Sequence, residues 1–374
     1  MTSRSLRVML LTSAQHWRGS GLSYSKLARG LAERGHRVDV VVASDAVAAQ
    51  YERLGIAAHR LALQRTGMRE IMSLVAIARA ADTELVIVDK PRDLRIGAWV
   101  SMIRPLRIII RYNRTGKHGR PRLVDRWTAR RASAALYQSA YIRDKAHGEM
   151  PTLAQLPTFV IPNGYDALAM MPNAAASAEW RARNGVAPDE FVVISAGFAE
   201  EEKRFDQSVE ALRLLALKGE PATFVFCGDG PCRAALEANA LAGGVRAIWL
   251  GMQSPEATLI AIGAADVLLH PSPVEIFGNV LAEAMSLCTP IIATRGGGNP
   301  EMMGNDGTTA MLVEDGCPDS FATAIAELRA RPERRRALAG AARARLVAEF
   351  PLALMLDRYD AMLQQVVGAP AGAQ

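Results

Sequence analysis

Short apolar runs, each followed by a helix-forming segment, recur along the chain, and this alternation limits the fold more than any other feature. In the first half they lie at residues 7–11, 38–43, 85–88 and 107–110. Several are rich in valine and isoleucine, as expected of strands that are buried on both faces of a parallel sheet. The chain begins with a strand, a glycine-containing loop (12–21), a helix (22–34) and a second strand, which is a Rossmann-like beginning.

The length of the chain predicts two domains. Its 374 residues exceed what one hydrophobic core ordinarily organises. A second doubly wound sheet is predicted from apolar runs at 191–196, 224–231, 247–251, 266–270, 291–293 and 310–313. We expect an N-terminal domain at 1–170, a C-terminal domain at 171–350 that opens with a linker at 171–178, a final helix at 351–367 and a flexible tail at 368–374.

The composition indicates a globular protein from a reducing compartment. Half of the residues are apolar, 22% are charged, and no run of 18 apolar residues predicts a membrane span. Residues 1–14 have the make-up of a short signal peptide, but the helix and strand that follow favour a first buried strand. A cytoplasmic location is expected, because the four cysteines match no zinc-module spacing and are interpreted as reduced thiols. They are Cys227, Cys232, Cys288 and Cys317.

The stretch from His270 to Glu301 carries most of the chemical information. It reads H-P-S-P-V-E-I-F-G-N-V-L-A-E-A-M-S-L-C-T-P-I-I-A-T-R-G-G-G-N-P-E. A strand ends at His270, Gly278 permits a tight turn, and a helix begins near Asn279. The dipole of that helix favours a phosphate at its N-terminus, where several amides are predicted to be free. These are the amides of Phe277, Gly278, Asn279 and Val280.

Two carboxylates, Glu275 and Glu283, flank this predicted anion site. They would repel a bare phosphate, but they suit a ligand that also carries hydroxyls, such as a ribose and a sugar on either side of a diphosphate. Two glutamates eight positions apart are, by themselves, more often ordinary surface residues of a strand–loop–helix unit. The pair therefore gains meaning only from the residues around it.

The whole stretch resembles the nucleotide-sugar site of retaining GT-B glycosyltransferases of family 4. The family pattern is P-S-x-x-E-x-F-G-x-x-x-x-E-A-M, then a proline with an apolar run, then G-G-x-P-E. Residues 159–166 also match the V-I-P-N-G-x-D segment of the family. The central pattern is present here as Pro271-Ser272, Glu275, Phe277-Gly278, Glu283-Ala284-Met285, Pro290 and Gly297-Gly298-Asn299-Pro300-Glu301.

The resemblance implies an α/β protein of GT-B fold, with two Rossmann-like doubly wound domains that face each other across a cleft and a C-terminal helix that crosses back to the first domain. It implies a retaining, metal-independent glycosyltransferase of hexosyltransferase type. The donor would be a UDP- or GDP-sugar, and the acceptor a hydroxyl of a lipid-linked or phosphate-bearing glycan of the cell envelope. No cofactor is expected beyond this nucleotide-sugar co-substrate, and the sequence has no Asp-x-Asp metal motif.

The resemblance also implies a role for individual residues. Lys203 would clamp the diphosphate, Glu275 would hold the donor sugar, and Glu283 would bind the ribose; Lys203 and Glu275 are the candidate catalytic residues. Preorganised donors of this kind stabilise the charge that develops on the leaving phosphate. The implied donor-binding set comprises Gly19, Ser20, Gly21, Lys203, Arg204, Glu275, Ile276, Phe277, Gly278, Asn279, Val280 and Glu283.

Two departures from the family pattern limit these assignments. Where the family reads G-R-x-x-x-x-K-G-x-D, this chain has Phe198 in place of the arginine and Arg204 in place of the second glycine. Arg204 is either a replacement for the missing arginine or a surface residue, and the sequence supports both. The family histidine after the strand at 107–110 is also absent, since Arg111-Tyr112-Asn113-Arg114 occupies its place, so no catalytic residue is assigned to the first domain.

Residues 104–145 form a basic tract with twelve basic and two acidic residues. Such an uneven distribution indicates an anionic partner for the first domain, either a membrane surface or a phosphate-bearing acceptor. The protein would then work as a peripheral membrane protein on the inner face of the cytoplasmic membrane. A merely solvated basic face is equally compatible with this tract. Nucleic acid is not expected, because the chain has no reader module.

Two functions of other classes stay open. One is a catalytically silent GT-B scaffold that binds sugar nucleotides, which Phe198 and the missing histidine favour. The other is a nicotinamide-dependent oxidoreductase built from two α/β domains. The incomplete glycine fingerprint around Gly19 and Gly21 argues against this second alternative.

Overall fold

The computed structural model describes residues 4–17, 19–63, 66–114, 122–167 and 169–369. The chain divides into two compact units, each with its own parallel sheet. Unit 1 consists of Met1–Gly164 together with Leu352–Gln374, and unit 2 consists of Tyr165–Pro351. The division falls a few residues before the position expected from the sequence, and the final helix is part of unit 1.

Unit 1 is built on a seven-stranded parallel sheet in the order β3-β2-β1-β4-β5-β6-β7. The direction in which strands are added reverses between β1 and β4, which is the doubly wound arrangement predicted from the sequence. The strands are β1 Arg7–Thr12, β2 Arg37–Val42, β3 Ala58–Arg60, β4 Leu85–Val88, β5 Arg107–Arg111, β6 Ala134–Tyr137 and β7 Thr158–Val160.

The first helix of unit 1 corrects one prediction. It begins at Gly19, so Gly19, Ser20 and Gly21 form its first turn and do not belong to the preceding loop. Glycine weakens a helix interior, but a first turn tolerates it because its amides have no intrahelical partner in any case. The helices are α1 Gly19–Glu33, α2 Asp45–Arg53, α3 Met68–Ala80, α4 Pro91–Ile103, α5 Leu123–Arg130 and α6 Ala140–Glu149, followed by a 3₁₀ helix at Pro151–Gln155.

Unit 2 contains a six-stranded parallel sheet in the order β10-β9-β8-β11-β12-β13. Its strand order reverses between β8 and β11, so this unit is also doubly wound. The strands are β8 Val192–Ala196, β9 Thr223–Cys227, β10 Ala247–Gly251, β11 Val267–His270, β12 Ile291–Thr294 and β13 Met311–Val313.

The first helix of unit 2 corrects the linker that the sequence predicted at 171–178. That segment runs into a helix, because the Asn173 side chain accepts a hydrogen bond from the Ala176 amide at 3.0 Å and caps it. A 3₁₀ helix lies at Glu201–Lys203. The α-helices are α7 Ala174–Arg183, α8 Phe205–Leu217, α9 Arg233–Ala242, α10 Pro255–Ala264, α11 Asn279–Ser286, α12 Asn299–Met303, α13 Pro318–Ala330 and α14 Pro332–Glu349.

The last helix, α15 Leu352–Gly368, completes the core of unit 1. Its buried side chains join the cluster that contains Tyr24, Leu27 and Leu31 of α1. Leu354, predicted on its apolar face, is only half-buried, and the neighbouring Met355 is buried in its place. The other buried members of α15 are Leu356, Tyr359, Met362, Leu363 and Val366.

Candidate active site

The adjacent strands β8 and β11 bring two loops of unit 2 together. Loops that leave the carboxyl ends of parallel strands share one edge of a sheet, and ligands bind where the strand order reverses. The loop after β8 carries Lys203, and the loop after β11 carries Glu275. Lys203 Nζ donates a hydrogen bond to Glu275 Oε1 at 2.5 Å. The two candidate catalytic residues, 72 positions apart in sequence, are therefore in direct contact.

Glu275 is a largely buried carboxylate that contacts Lys203 and lies close to His270. Its side chain is 13% exposed, and His270 Nε2 lies 3.2 Å from Glu275 Oε1, although not in the alignment of a good hydrogen bond. Burial would raise the pKa of Glu275, but the attraction of Lys203 and the proximity of His270 outweigh it and hold that pKa well below its usual range. At neutral pH Glu275 is therefore ionised and serves only as a hydrogen-bond acceptor.

The N-terminus of α11 lies directly after this carboxylate. Gly278 is the N-cap, with φ of 72°, a left-handed conformation that a side chain would disfavour. Among the described residues, none accepts a hydrogen bond from the amides of Phe277, Gly278 or Val280. Unpaired amides at the positive end of a helix dipole form an environment in which an anion is stabilised.

The glycines after β12 fix the backbone of the loop that bears Glu275. The Gly298 amide donates to the Glu275 carbonyl at 2.7 Å, and a Cβ on Gly298 would lie 2.4 Å from the Ile276 carbonyl oxygen. Asn299 Nδ2 donates to the Ser272 carbonyl at 3.0 Å. Only glycine permits this close an approach of two backbones. Gly298 and Asn299, in the second half of the sequence motif, therefore hold the loop of the first half that carries Glu275.

An aromatic residue, Tyr165, supports the start of α11 from the opening of unit 2. Its ring stacks on Phe277 with centroids 6.1 Å apart, and its hydroxyl hydrogen-bonds Asn279 Oδ1. Burial, together with the negative charges of Glu283 and Glu275, raises the pKa of Tyr165 well above its usual range. Both carboxylates thus act on the same phenol. The assignment of Glu283 to a ribose stays a prediction.

His270 and Tyr165 are members of this cluster that sequence reasoning did not single out. His270 was recognised only as the end of a strand. Tyr165 occupies the variable position of the V-I-P-N-G-x-D segment, which by itself indicates a turn. A histidine at the carboxyl end of β11 was the available signal, since side chains at that edge face the ligand side of a doubly wound sheet.

Arg204 follows Lys203 in the sequence, but its guanidinium faces other residues. Its backbone is left-handed, with φ of 54°, which explains why the family pattern has glycine at this position. Its guanidinium lies 3.5 Å from Asp315 and 3.7 Å from Asp206. Its role as a substitute phosphate clamp stays a prediction. The neighbouring Glu201 and Glu202 are exposed, so their carboxylates are accommodated in solvent.

In unit 1, Arg111 occupies the place where the family has a histidine, and it is a buried structural cation. Arg111 Nη1 lies 3.3 Å from Asp89 Oδ1, and both side chains are at most 3% exposed. Arg111 Nη2 donates to Ser23 Oγ at 2.9 Å, and the guanidinium lies 5.0 Å from the centroid of the Tyr24 ring. Arg111 is thus committed to the interior of unit 1.

A cavity of unit 1 opens beside this pair at the carboxyl ends of β4 and β5. Its polar lining includes Asp89, Lys90, Asn113 and Arg114, and Asn113 Nδ2 donates to Asp89 Oδ1 at 3.2 Å. The rest of the lining is largely apolar, with Leu94, Met150 and Leu153 among its members. The donor-binding roles predicted for Gly19, Ser20 and Gly21, on α1 of the same unit, stay predictions.

The basic tract at 104–145 does not form one uniform positive face. Arg111 is buried, Arg104 pairs with Asp82 and Arg143 with Asp144. Lys117 and Arg120 lie outside the described residues. Within the described ranges, no helix is both long enough and apolar enough to cross a bilayer.

The arrangement around β11 combines a cation, unpaired amides and partly buried carboxylates. The cation and amides stabilise negative charge, whereas the carboxylates accept hydrogen bonds from hydroxyl groups. A ligand with an anionic centre between two hydroxyl-bearing parts satisfies all of them. Across the residues that the structure covers, no group of three or more His, Cys, Asp or Glu side chains is placed to hold a metal ion.

Models of known protein families match both units of the chain. The model described as Glycosyltransferase Family 4 matches residues 17–167, and the model described as Glycosyl transferases group 1 matches residues 176–345. The chain belongs to the family 4 glycosyltransferases. The membership inferred from the motif at His270–Glu301 is thereby confirmed, and the Lys203–Glu275 contact lies within the second match.

Curated relatives align with part of the chain. The GDP-mannose-dependent alpha-(1-6)-phosphatidylinositol dimannoside mannosyltransferase of Mycobacterium tuberculosis is 30% identical over 193 residues, which are 51% of this chain and 49% of that protein. The lipopolysaccharide core biosynthesis glycosyltransferase LpsE of Rhizobium meliloti is 32% identical over 186 residues, 49% of this chain and 52% of that protein. The chain thus spans about half the length of these relatives.

Solved structures share the fold. Anabaena HepE in complex with UDP-glucose superposes with a TM-score of 0.82 at 21% identity, over 96% of this chain and 99% of that chain. At this identity the likeness speaks for the fold alone. The predicted α/β, GT-B fold with two doubly wound sheets is confirmed.

Proposed function

We propose that this protein is a retaining glycosyltransferase that uses a nucleoside-diphosphate sugar as donor. The observation that carries the proposal is the contact between Lys203 and Glu275 beside the unpaired amides at the start of α11. A diphosphate would face Lys203 and these amides, while Glu275 and Glu283 would accept hydrogen bonds from the sugar and ribose hydroxyls. UDP and GDP are the favoured nucleotides, since one relative is named for GDP-mannose and one structural neighbour holds UDP-glucose.

The proposed reaction requires mainly stabilisation of the leaving group. The bond between the anomeric carbon and the β-phosphate oxygen breaks, and the acceptor oxygen bonds to the same face of the sugar. Because the acceptor bonds to the same face, the configuration is retained without a protein nucleophile. The acceptor proton passes to the departing phosphate. Lys203 and the α11 amides would stabilise the negative charge on that phosphate, the role that a metal ion fills in other enzymes.

The proposed acceptor is a hydroxyl of a lipid-linked or phosphate-bearing glycan, met at the inner face of the cytoplasmic membrane. Two relatives are named for phosphatidylinositol dimannoside and for lipopolysaccharide core. The cavity of unit 1 offers Asp89 and Asn113 for acceptor hydroxyls and Lys90 and Arg114 for an acceptor phosphate. Binding of donor and acceptor would thus be divided between unit 2 and unit 1.

The test begins with a thermal-shift screen of UDP-sugars and GDP-sugars, with NAD included as a competitor class, and continues with turnover of the stabilising donor. Lys203→Ala should lower turnover by roughly 100-fold, about 3 kcal/mol of transition-state stabilisation, because a preorganised cation is lost from the leaving group. The exposed Lys218, at the end of α8, provides a matched control in Lys218→Ala. Wild-type turnover in Lys203→Ala would contradict the proposal.

A second candidate function is a catalytically silent scaffold that binds sugar nucleotides. It is favoured by Phe198, which takes the place of a diphosphate-binding arginine. Hydrolysis of the donor without acceptor separates the two functions, because a competent site slowly transfers the sugar to water. Donor binding without hydrolysis or transfer to any glycan would support the scaffold.

A further inference from the structure

Three consecutive helices of unit 1, α3, α4 and α5, share an unusual surface. Every large apolar side chain that is exposed among the described residues of unit 1 lies on them. The most exposed are Leu123 at 82%, Met68 at 72% and Met102 at 55%. We call this set the α3–α5 surface, and its members are Met68, Met72, Trp99, Met102, Ile103, Leu123 and Val124.

These side chains lie on helices that pack side by side. The helix α4 contacts both α3 and α5, and Trp99 of α4 packs against Trp127 of α5 with ring centroids 5.0 Å apart. The spacing of Met68 and Met72, and of Trp99 and Ile103, places each pair on one face of its helix. Unit 2 also has large exposed apolar side chains among its described residues, including Leu217 on α8 and Leu241 on α9, and these provide controls below.

Arginine side chains without an ion-pair partner among the described residues lie on the same helices. Arg69 and Arg79 lie on α3, and Arg126 and Arg130 lie on α5; all four are exposed. None of them forms an ion pair with any residue that the structure covers. Acidic side chains do not balance them, because Asp93 is fully buried and Asp125 pairs with Arg95 at 2.9 Å, which leaves only Glu70 on these helices.

We propose that the α3–α5 surface docks on an anionic phospholipid bilayer. Apolar side chains and tryptophan would enter the boundary between headgroups and acyl chains, and the arginine stems would lie along it with their charges at the headgroups. Exposed apolar groups beside unpaired arginines match a surface that is apolar beneath and negative on top. Tryptophan, methionine and arginine are also enriched at protein–protein interfaces, so self-association is one of the outcomes that the test below separates.

This assignment refines the proposed membrane contact of the basic tract. Only the part at α5 contributes arginines to the surface, and α3 lies outside the tract altogether. The inference builds on the proposal of a membrane-borne acceptor, but its test contains neither donor nor acceptor. Failure of docking and failure of glycosyl transfer are therefore distinguished.

The experiment measures co-sedimentation of the 374-residue protein with vesicles of phosphatidylcholine alone or mixed with phosphatidylglycerol. Two double variants probe the surface: Met102→Ser with Leu123→Ser, and Arg69→Gln with Arg126→Gln. Their matched controls are Leu217→Ser with Leu241→Ser, and Arg336→Gln with Arg358→Gln, at positions that are equally solvent-facing. Thermal unfolding of each variant verifies that it is folded.

The wild type should bind the anionic vesicles, and rising salt should release it. Loss of two arginines should weaken binding by about fivefold for each, roughly 25-fold together. The apolar variant should bind at least about tenfold more weakly, since buried apolar area contributes to interfacial binding. Both control variants should bind like the wild type.

Two results would overturn the proposal. One is a wild-type protein that stays in the supernatant with anionic vesicles at low salt. The other is equal binding by the surface variants and their controls. Self-association of the wild type that disappears in the Met102, Leu123 variant, without vesicle binding, would assign the surface to contacts between protein copies.

Discussion

At the scale of single residues, the contact between Lys203 and Glu275 shows how the charges of the candidate site are balanced. The largely buried carboxylate of Glu275 is stabilised by the positive charge of Lys203, and removal of Lys203 would leave it without this compensating charge. A donor that binds Lys203 through its phosphate must therefore offer Glu275 new hydrogen-bond donors. Sugar hydroxyls fulfil that requirement. If the proposed donor binds, this one ion pair would favour a sugar diphosphate over a bare diphosphate.

Arg204→Gly is expected to stabilise the protein by up to about 1 kcal/mol. A left-handed backbone costs an L-residue roughly 1–2 kcal/mol and glycine far less, and the lost ion pairs are half-exposed and contribute little. The measurement is urea unfolding of the variant and the wild type. Turnover should change little, because Arg204 already faces Asp206 and Asp315.

The control for this substitution is Arg336→Gly, at an exposed position in the second turn of α14, which should lose about 1 kcal/mol because glycine is unfavourable in a regular helix. If Arg204→Gly instead lowers turnover as strongly as Lys203→Ala, then Arg204 is the substitute for the missing family arginine.

At the scale of elements, the strands were predictable because their patterns are local. The run at 247–251 coincides with β10, and the runs at 85–88 and 107–110 match β4 and β5 to within one residue. The first residues of the helices were harder to predict from the sequence. Gly19-Ser20-Gly21 has a loop composition but lies in the first turn of α1, and the linker expected at 171–178 contains Asn173, which caps α7.

The site was predictable only in part, for a related reason. The motif at His270–Glu301 contains Glu275 and the start of α11, but no local pattern states that the loop after β8 lies next to the loop after β11. That neighbourhood follows from the strand order, in which β8 pairs with β11. Contacts with Tyr165 depend in the same way on tertiary packing.

The loop after β12 holds the loop that carries Glu275, and the substitution Gly298→Ala tests this contact. The added Cβ at position 298 would lie 2.4 Å from the Ile276 carbonyl oxygen, so the loop after β11 must shift. We expect a loss of stability of about 1–3 kcal/mol from overpacking. Turnover should fall by more than about tenfold, since a displacement on the order of 1 Å at a catalytic group is costly.

The matched control is Gly340→Ala, in α14, where an added Cβ meets no atom within 4 Å. It should be neutral or stabilising and leave turnover unchanged. Turnover is compared by initial rates at saturating donor, and stability by thermal unfolding. Full activity in Gly298→Ala would show that the glycine run does not position Glu275.

At the scale of the whole molecule, the two units differ in how the chain builds them. Unit 2 is one continuous segment, and the clusters on both faces of its sheet consist of its own residues. Unit 1 is discontinuous, because six buried side chains of α15 complete the cluster around β1 and α1. Burial of six such side chains contributes on the order of 10 kcal/mol. This is comparable with the entire stability of a typical domain.

The segment 165–351 should therefore fold alone, whereas the segment 1–164 should not. The first keeps all members of its own core, and the second loses a contribution as large as its expected stability. Circular dichroism and thermal unfolding of the two separately produced segments provide the measurement, and addition of a peptide of residues 352–374 to segment 1–164 is the control. The peptide should restore a cooperative transition, because it returns Leu356, Tyr359 and Leu363 to the cluster. Cooperative unfolding of segment 1–164 without the peptide would mean that α15 only covers a core that is already complete.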